Sequence, residues 1–188
     1  MASFQDVLTL IHEKWEQDCS ALLSQAKEIA ALLDRPNVAE SGAEPELLKE
    51  AVQLYKQLFD PQNGGFGGAP KFPASHNLLF LLACCRRRGD RACLEMAERT
   101  LIRMYRGGLF DHIGGGFCRY STDERFLVPH FEKMLYDNAL LILAYSEAYV
   151  VTKKKLYLAA AERTADFVLR EMTAPEGKEW LLSLQRGA

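Results

Sequence analysis

The residues able to do chemistry are concentrated in one stretch. It runs Gly107-Gly-Leu-Phe-Asp-His-Ile-Gly-Gly-Gly-Phe-Cys-Arg-Tyr-Ser-Thr-Asp and continues as Val128-Pro-His-Phe-Glu-Lys-Met-Leu-Tyr-Asp-Asn-Ala. Glycine permits positive φ and close backbone approach, and a polar loop rich in reactive groups is where binding and catalysis usually sit. His130 follows Pro129, a residue suited to the first helical position. A helix opening there puts His130 at the positive end of a dipole that disfavours imidazolium, leaving a neutral base for proton abstraction. The plainer use of His130 is to cap that helix or bond the loop. Glu132 near the same terminus is electrostatically favoured, and Lys133 and Asp137, four apart on one face, can pair.

Asp137 and Asn138 lie in an otherwise apolar helix, where buried polar groups need partners. Either they tie loops to the interior, or with Tyr136 they face a polar cavity and contact ligand hydroxyls. Arg119 offers planar bidentate donors, and Tyr120 offers a ring for stacking with one polar end. Asp111, His112 and Arg119 could equally satisfy the loop's own backbone. Lys71, in Ala69-Pro-Lys-Phe-Pro, is a charged contact to the neighbouring loop. A glycosidase needs two carboxyls flanking the bond, and Asp111, Asp123, Glu132 and Asp137 are the candidates. No metal or cofactor is expected. His130-Phe-Glu132 lacks a histidine pair at i, i+4, and neither glycine run has the phosphate-loop pattern.

These groups must be positioned by helices. Phe4, Val7, Leu8, Ile11, Trp15, Cys19, Leu22, Ala26, Ile29 and Leu33 predict one long amphipathic helix ending near Asp34. Arg35 to Glu44 reads as a linker. Pro45 opens helix two, with the stripe Leu48, Val52, Tyr55 and Phe59. Helices three (75–88) and five (129–151) carry unbroken apolar runs, whereas four (90–105) and six (155–172) have one apolar face. Helices apolar all round want burial on both sides. Three and five therefore form an inner layer, with Leu79, Leu82, Leu141 and Ala144 inaccessible, and the other helices lie outside. The short turns near residues 89 and 153 alternate with long loops at 60–73 and 107–128. All long loops should gather at one end and touch, bringing His112, Arg119, His130, Glu132 and Asp137 to one cavity mouth. Gly64-Gly-Phe-Gly-Gly and Gly107-Gly-Leu-Phe look like equivalent positions of a repeat. The fold class is all-α, an α/α solenoid or toroid.

The chain of 188 residues fits one ordinary domain, and with 48% hydrophobic and 26% charged residues it can bury a core. A net charge of -2 argues against nucleic acid or an anionic membrane as partner. No apolar run reaches membrane-spanning length, and the N-terminus lacks a signal-peptide layout. The 5 cysteines form no Cys-x-x-Cys pair. They read as free thiols in a reducing, cytoplasmic setting, with Cys84-Cys85 packed in the core.

Gly64-Gly-Phe-Gly-Gly-Ala-Pro-Lys-Phe-Pro and the two segments quoted first resemble the spermatogenesis-associated protein 20 family, from about Phe4 to Gly177. Its bacterial relatives are described as thioredoxin-domain-containing proteins. The resemblance implies a thioredoxin-like domain followed by a six-hairpin toroid similar to glycosidases and N-acylglucosamine 2-epimerases. Against that pattern, residues 1–44 read as a connecting helix and linker, and 45–177 as a partial ring of about three hairpins. The tail 178–188 is atypical and suggests a frameshifted or truncated reading of a longer gene, inert by itself. The thioredoxin-like domain is expected only in the complete protein. Two functions stand: a carbohydrate-active enzyme of epimerase or glycosidase type, and a non-catalytic helical interaction domain.

Overall fold

The computed structural model describes residues 3–33, 45–174 and 183–184. The chain divides into two units, Met1–Glu44 and Pro45–Ala188, each taken by itself. Among the described residues, no helix is long and apolar enough to cross a membrane.

The first unit holds α1 (Phe4–Leu33), opened by a capping box in which Ser3 and Asp6 exchange side-chain-to-amide bonds of 2.8 and 3.1 Å. It is not one continuous helix, as its periodicity suggests. Asp18 leaves helical geometry (φ -153, ψ 80), and its Oδ1 accepts from the Ala21 amide at 3.0 Å and the Ser20 hydroxyl at 2.7 Å. An aspartate that caps a following turn competes with the helix running through it, so α1 breaks there. The expected helix end and the linker at 35–44 lie outside the described residues.

The second unit contains α2 (Pro45–Leu58), α3 (Ser75–Arg88), α4 (Arg91–Arg106), α5 (Leu135–Thr152) and α6 (Lys155–Glu171). Strands β1 (Tyr120–Ser121), β2 (Pro129–His130), β3 (Lys133–Met134) and β4 (Ser183–Leu184) form only two-stranded antiparallel ladders, β1 with β2 and β3 with β4. The fold is all-α. Tight turns make α3–α4 and α5–α6 hairpins. Gly89 closes the first in a left-handed conformation, its amide donating to Cys85, while Asp90 caps α4 through the amides of Ala92 and Cys93. α3 packs on both α4 and α5, and α5 on α6, so α3 and α5 are the inner pair.

Burial does not follow the inner and outer distinction as expected. Leu82, Leu141 and Ala144 are inaccessible, but Leu79 is only partly buried, and α4 and α6 each bury six residues against five each in α3 and α5. α5 has α3 and α6 as neighbours, and its remaining side (Tyr136, Leu143, Val150) is uncovered among the described residues. Tyr145 anchors the centre: fully buried, it donates to the Leu101 carbonyl at 2.8 Å and stacks on Phe117 at 5.2 Å. Burial pushes its phenol well above the usual range.

The two long loops are built on one pattern, Leu-Phe-Asp-x-x-x-Gly-Gly-Phe, at Leu58–Phe66 and again at Leu109–Phe117. The equivalent glycines are therefore Gly64-Gly65 and Gly115-Gly116, not Gly107-Gly108. In each loop the two phenylalanines bridge, Phe59 to Phe66 and Phe110 to Phe117. The aspartate then caps its own turn, and a distant lysine closes it. Lys71 donates to Asp60 at 2.6 Å and to the Gly64 carbonyl at 2.9 Å; Lys133 donates to Asp111 and to the Gly115 carbonyl, both at 2.7 Å. Ala-Glu-Arg-Thr also repeats, at 97–100 and 161–164. Its arginines hold the loops, Arg99 donating to the Pro61 carbonyl at 2.7 Å and Arg163 to that of His112 at 2.6 Å. Gly107 and Gly108 do something else: a Cβ on either would strike the backbone of Phe126 or Leu127, which crosses there.

Candidate functional site

The two loops lie at the same end and touch. Lys71 and Ser121 exchange backbone hydrogen bonds of 2.9 and 2.8 Å, and Phe126 packs under Gly65 and Lys71. This single Lys71–Ser121 bridge extends the β1–β2 pair, in which Tyr120 faces His130. Side chains on one face form a row: Phe72 to Tyr120 at 4.9 Å, Tyr120 to His130 at 4.8 Å and within 14° of parallel. Tyr120 stands in the middle of that row. Both ring faces are taken, leaving its edge and hydroxyl; the open aromatic surface belongs to Phe72 and to Phe131, 51% and 72% exposed.

Pro129 does not open a helix. It pairs in β2 with Ser121, and α5 starts at Leu135. His130 and Glu132 thus precede the helix, and the dipole argument for a neutral His130 does not apply. Nor do Lys133 and Asp137 pair: Lys133 lies in β3, and its ammonium goes to Asp111. A four-residue spacing brings side chains together only on a helix.

Of the expected residues, Arg119, Glu132, Tyr136 and Asp137 come together. Arg119 Nη1 donates to Glu132 Oε2 at 3.0 Å, and its backbone amide to the Glu132 carbonyl at 2.7 Å. Glu132 and then Tyr136 raise the guanidinium above its usual range. Asp137, in the first turn of α5, is half-buried and has no hydrogen-bond partner among the described residues. Burial raises its carboxyl to about 6; Arg119 opposes the shift and Glu132 adds to it. Arg119 Nε and His130 Nδ1 are buried without a partner among the described residues.

The other candidates are placed elsewhere. His112 packs on Phe110 and Tyr105, with Nε2 3.2 Å from the Gly107 carbonyl. Asn138, fully buried, accepts from the Phe117 amide at 2.7 Å and donates to the Phe117 and Met134 carbonyls. It is the anchor between loop and inner helix. Asp111 and Lys71 are locked in the two clamps. Burial works against the charge on Asp111, but Lys133 and the amides of Gly114 and Ile113 hold its carboxyl down at about 2. Asp60 is held well below the usual range in the same way, by Lys71 and by the amides of Asn63 and Gln62. Asp123 is the knot of the β1–β2 connection, accepting from the amides of Arg125, Leu127 and Val128. Sequence reasoning passes over Asp60, Phe126 and Lys133 as the partner of Asp111. The two repeated motifs are the signal that finds them.

A groove of 630 Å³ lies away from this cluster, between α2 and α4, lined by Lys56, Phe59, Met96, Arg99 and Ile102 among others. Among the described residues no group of histidines, cysteines and carboxylates is placed to hold a metal ion.

No family model matches the chain. It is 37% identical over 185 residues to spermatogenesis-associated protein 20 of Homo sapiens, covering 93% of this chain and 23% of that protein. It is 36% identical over 160 residues to an uncharacterized protein of Caenorhabditis elegans, covering 82% of this chain and 22% of the relative. Among solved structures, a sugar epimerase from a ruminal bacterium matches with a TM-score of 0.65 at 22% identity, over 72% of this chain and 37% of the other. Cellobiose 2-epimerase from Bacillus thermoamylovorans matches with 0.65 at 21% identity, over 75% and 40%. At such identities the likeness establishes the fold, an α/α toroid of the glycosidase-like type. Identity above 30% over nearly the whole chain shows that it belongs to the spermatogenesis-associated protein 20 family, of whose members it spans about a quarter of the length.

Proposed function

We propose that the loop end of this toroid binds a saccharide and that Asp137 carries the proton in an epimerase- or glycosidase-type reaction of the complete protein. The carrying observation is the position of Asp137, half-buried in the first turn of α5 with no hydrogen-bond partner among the described residues; burial raises its carboxyl to about 6. A carboxyl that titrates near neutrality can give and take a proton at working pH. Beside it, Glu132 is a fixed charge tied to Arg119, and Tyr136 adds a hydroxyl. The exposed rings of Phe72 and Phe131 offer apolar surface to a sugar's C–H face. His130, buried at Nδ1 and stacked on Tyr120, serves in this reading as a second proton carrier. His112, Asp111, Lys71 and Asn138 serve as framework. Toroid neighbours named as sugar epimerases add support from the fold alone.

Such a site needs groups fixed from opposite sides of the ring. We therefore assign turnover to the complete protein, in which the family resemblance adds a thioredoxin-like domain, and expect this chain alone to bind without turning over. The test is NMR of the chain with labelled carboxyls and amides. Asp137 should titrate near 6, and mono- and disaccharides should shift Arg119, Tyr136 and Asp137. A carboxyl titrating near 4, together with no sugar-induced shift, would falsify the reading. The rival is a non-catalytic interaction domain, favoured by the number of polar loop residues used to lock the loops to each other. Saturable protein binding that Phe72→Ala and Phe131→Ala abolish, with no sugar response, would establish it instead.

A further inference from the structure

The site read as saccharide-binding above, on which this step rests, has a charge balance that limits what it can hold. The charges near enough to act on Asp137 are Arg119 and Glu132. Arg119 is held by Glu132, its Nη1 donating at 3.0 Å, and its Nε is left open among the described residues. The lysines that the two loops bring to this end are no freer: Lys71 is buried against Asp60 at 2.6 Å, and Lys133 against Asp111 at 2.7 Å. With Asp137 ionised, one cation faces two carboxylates, a local charge of minus one in a half-buried setting where Coulomb forces are weakly screened.

A uronate or a sugar phosphate brought here would meet a net negative charge, and the cation beside it, Arg119, is shared with Glu132. To bind, it would have to compete with Glu132 for Arg119, whose open Nε offers a single contact against the repulsion of two carboxylates. A neutral sugar meets none of this. Carboxylates and a tyrosine hydroxyl are good acceptors for its hydroxyls, and Phe72 and Phe131 give its C–H face a place to lie. We infer that the Arg119–Glu132–Asp137 cluster selects neutral saccharides and excludes acidic ones, both uronates and sugar phosphates.

The test compares sugars of one shape, with the full chain at pH 8. Glucose and cellobiose are titrated against glucuronic acid and glucose 6-phosphate, following the amide shifts of Arg119 and Tyr136. The neutral sugars should bind about tenfold or more tightly than their acidic counterparts. Asp137→Asn, which removes one charge and keeps the shape, should narrow that ratio severalfold. Equal or tighter binding of glucuronic acid or glucose 6-phosphate overturns the selectivity and leaves the saccharide reading intact. An unchanged ratio in Asp137→Asn overturns the electrostatic origin assigned to it. Absence of binding by all four sugars overturns the saccharide reading itself, and this inference with it.

Discussion

The first and second loops are the same device used twice. Each has a capping aspartate, two bridging phenylalanines, a Gly-Gly pair at positive φ and a lysine reaching back to close the turn. They differ in how far downstream the lysine comes from: Lys71 follows Asp60 by 11 residues, and Lys133 follows Asp111 by 22. The extra length in the second loop carries Arg119, Tyr120 and His130. In the proposed reading this insertion carries the chemistry, while the repeated scaffold's own polar residues are spent on holding it shut. A lysine and an aspartate in these glycine-rich loops thus mark the clamps, and the proposed site falls in the insertion between them.

The comparison can be broken most severely at the lysines. Lys71 is 1% exposed and its aspartate 19%; for Lys133 and Asp111 the figures are 10% and 34%. Removing the cation strands a buried carboxylate, so Lys71→Met should cost about 3–5 kcal/mol and Lys133→Met about 1–3 kcal/mol, read by urea denaturation. Equal losses would mean that the two clamps are not graded by burial. The glycines come next, in reverse order. A Cβ on Gly116 would lie 2.3 Å from Phe167 Cδ1, whereas on Gly65 it meets the far end of Phe126 at 2.9 Å. Both need positive φ, so Gly116→Ala should cost about 3 kcal/mol and Gly65→Ala about 1–2 kcal/mol.

Acidity separates clamp from site by sign. Asp60 and Asp111 have depressed carboxyls, so their contribution is present above pH 4 and is lost as pH falls toward 2. Asp137 is raised to about 6, so its burial is tolerated below pH 4 and becomes a cost as pH rises through 6. Thermal melts of Asp137→Asn should show a gain on the order of 1–2 kcal/mol at pH 8 that disappears below pH 4. A gain independent of pH would assign it to packing rather than charge.

Much of this was legible from residue order. The apolar runs locate the helices of the second unit, and the alternation of short turns with long loops puts both loops at one end. Three features were not. Pro129 at the head of an apolar segment reads as a helix start, yet pairing with Ser121 holds it extended, and that partner lies eight residues back along an irregular loop. Tyr120 looks available for stacking, but its burial between Phe72 and His130 depends on the bridge to the other loop. Lys133 and Asp137 look like a helical pair because the spacing says nothing about whether the helix has begun. The repeat register, by contrast, was present in the letters: Leu-Phe-Asp and Ala-Glu-Arg-Thr mark it where the commoner glycine pairs mislead.

The direction of the clamps has a consequence for how the chain is made. The groups that seal the first loop come from later in the sequence, Arg99 and Thr100 on α4 and Phe126 beyond it. The second loop is sealed by Arg163, Phe167 and Arg170 on α6. No loop can be finished by the hairpin that precedes it. Synthesis from the N-terminus is therefore expected to leave each of these two loops unsealed until the helix that follows it has emerged. Assembly would then run one way, each loop closing one hairpin behind the growing end.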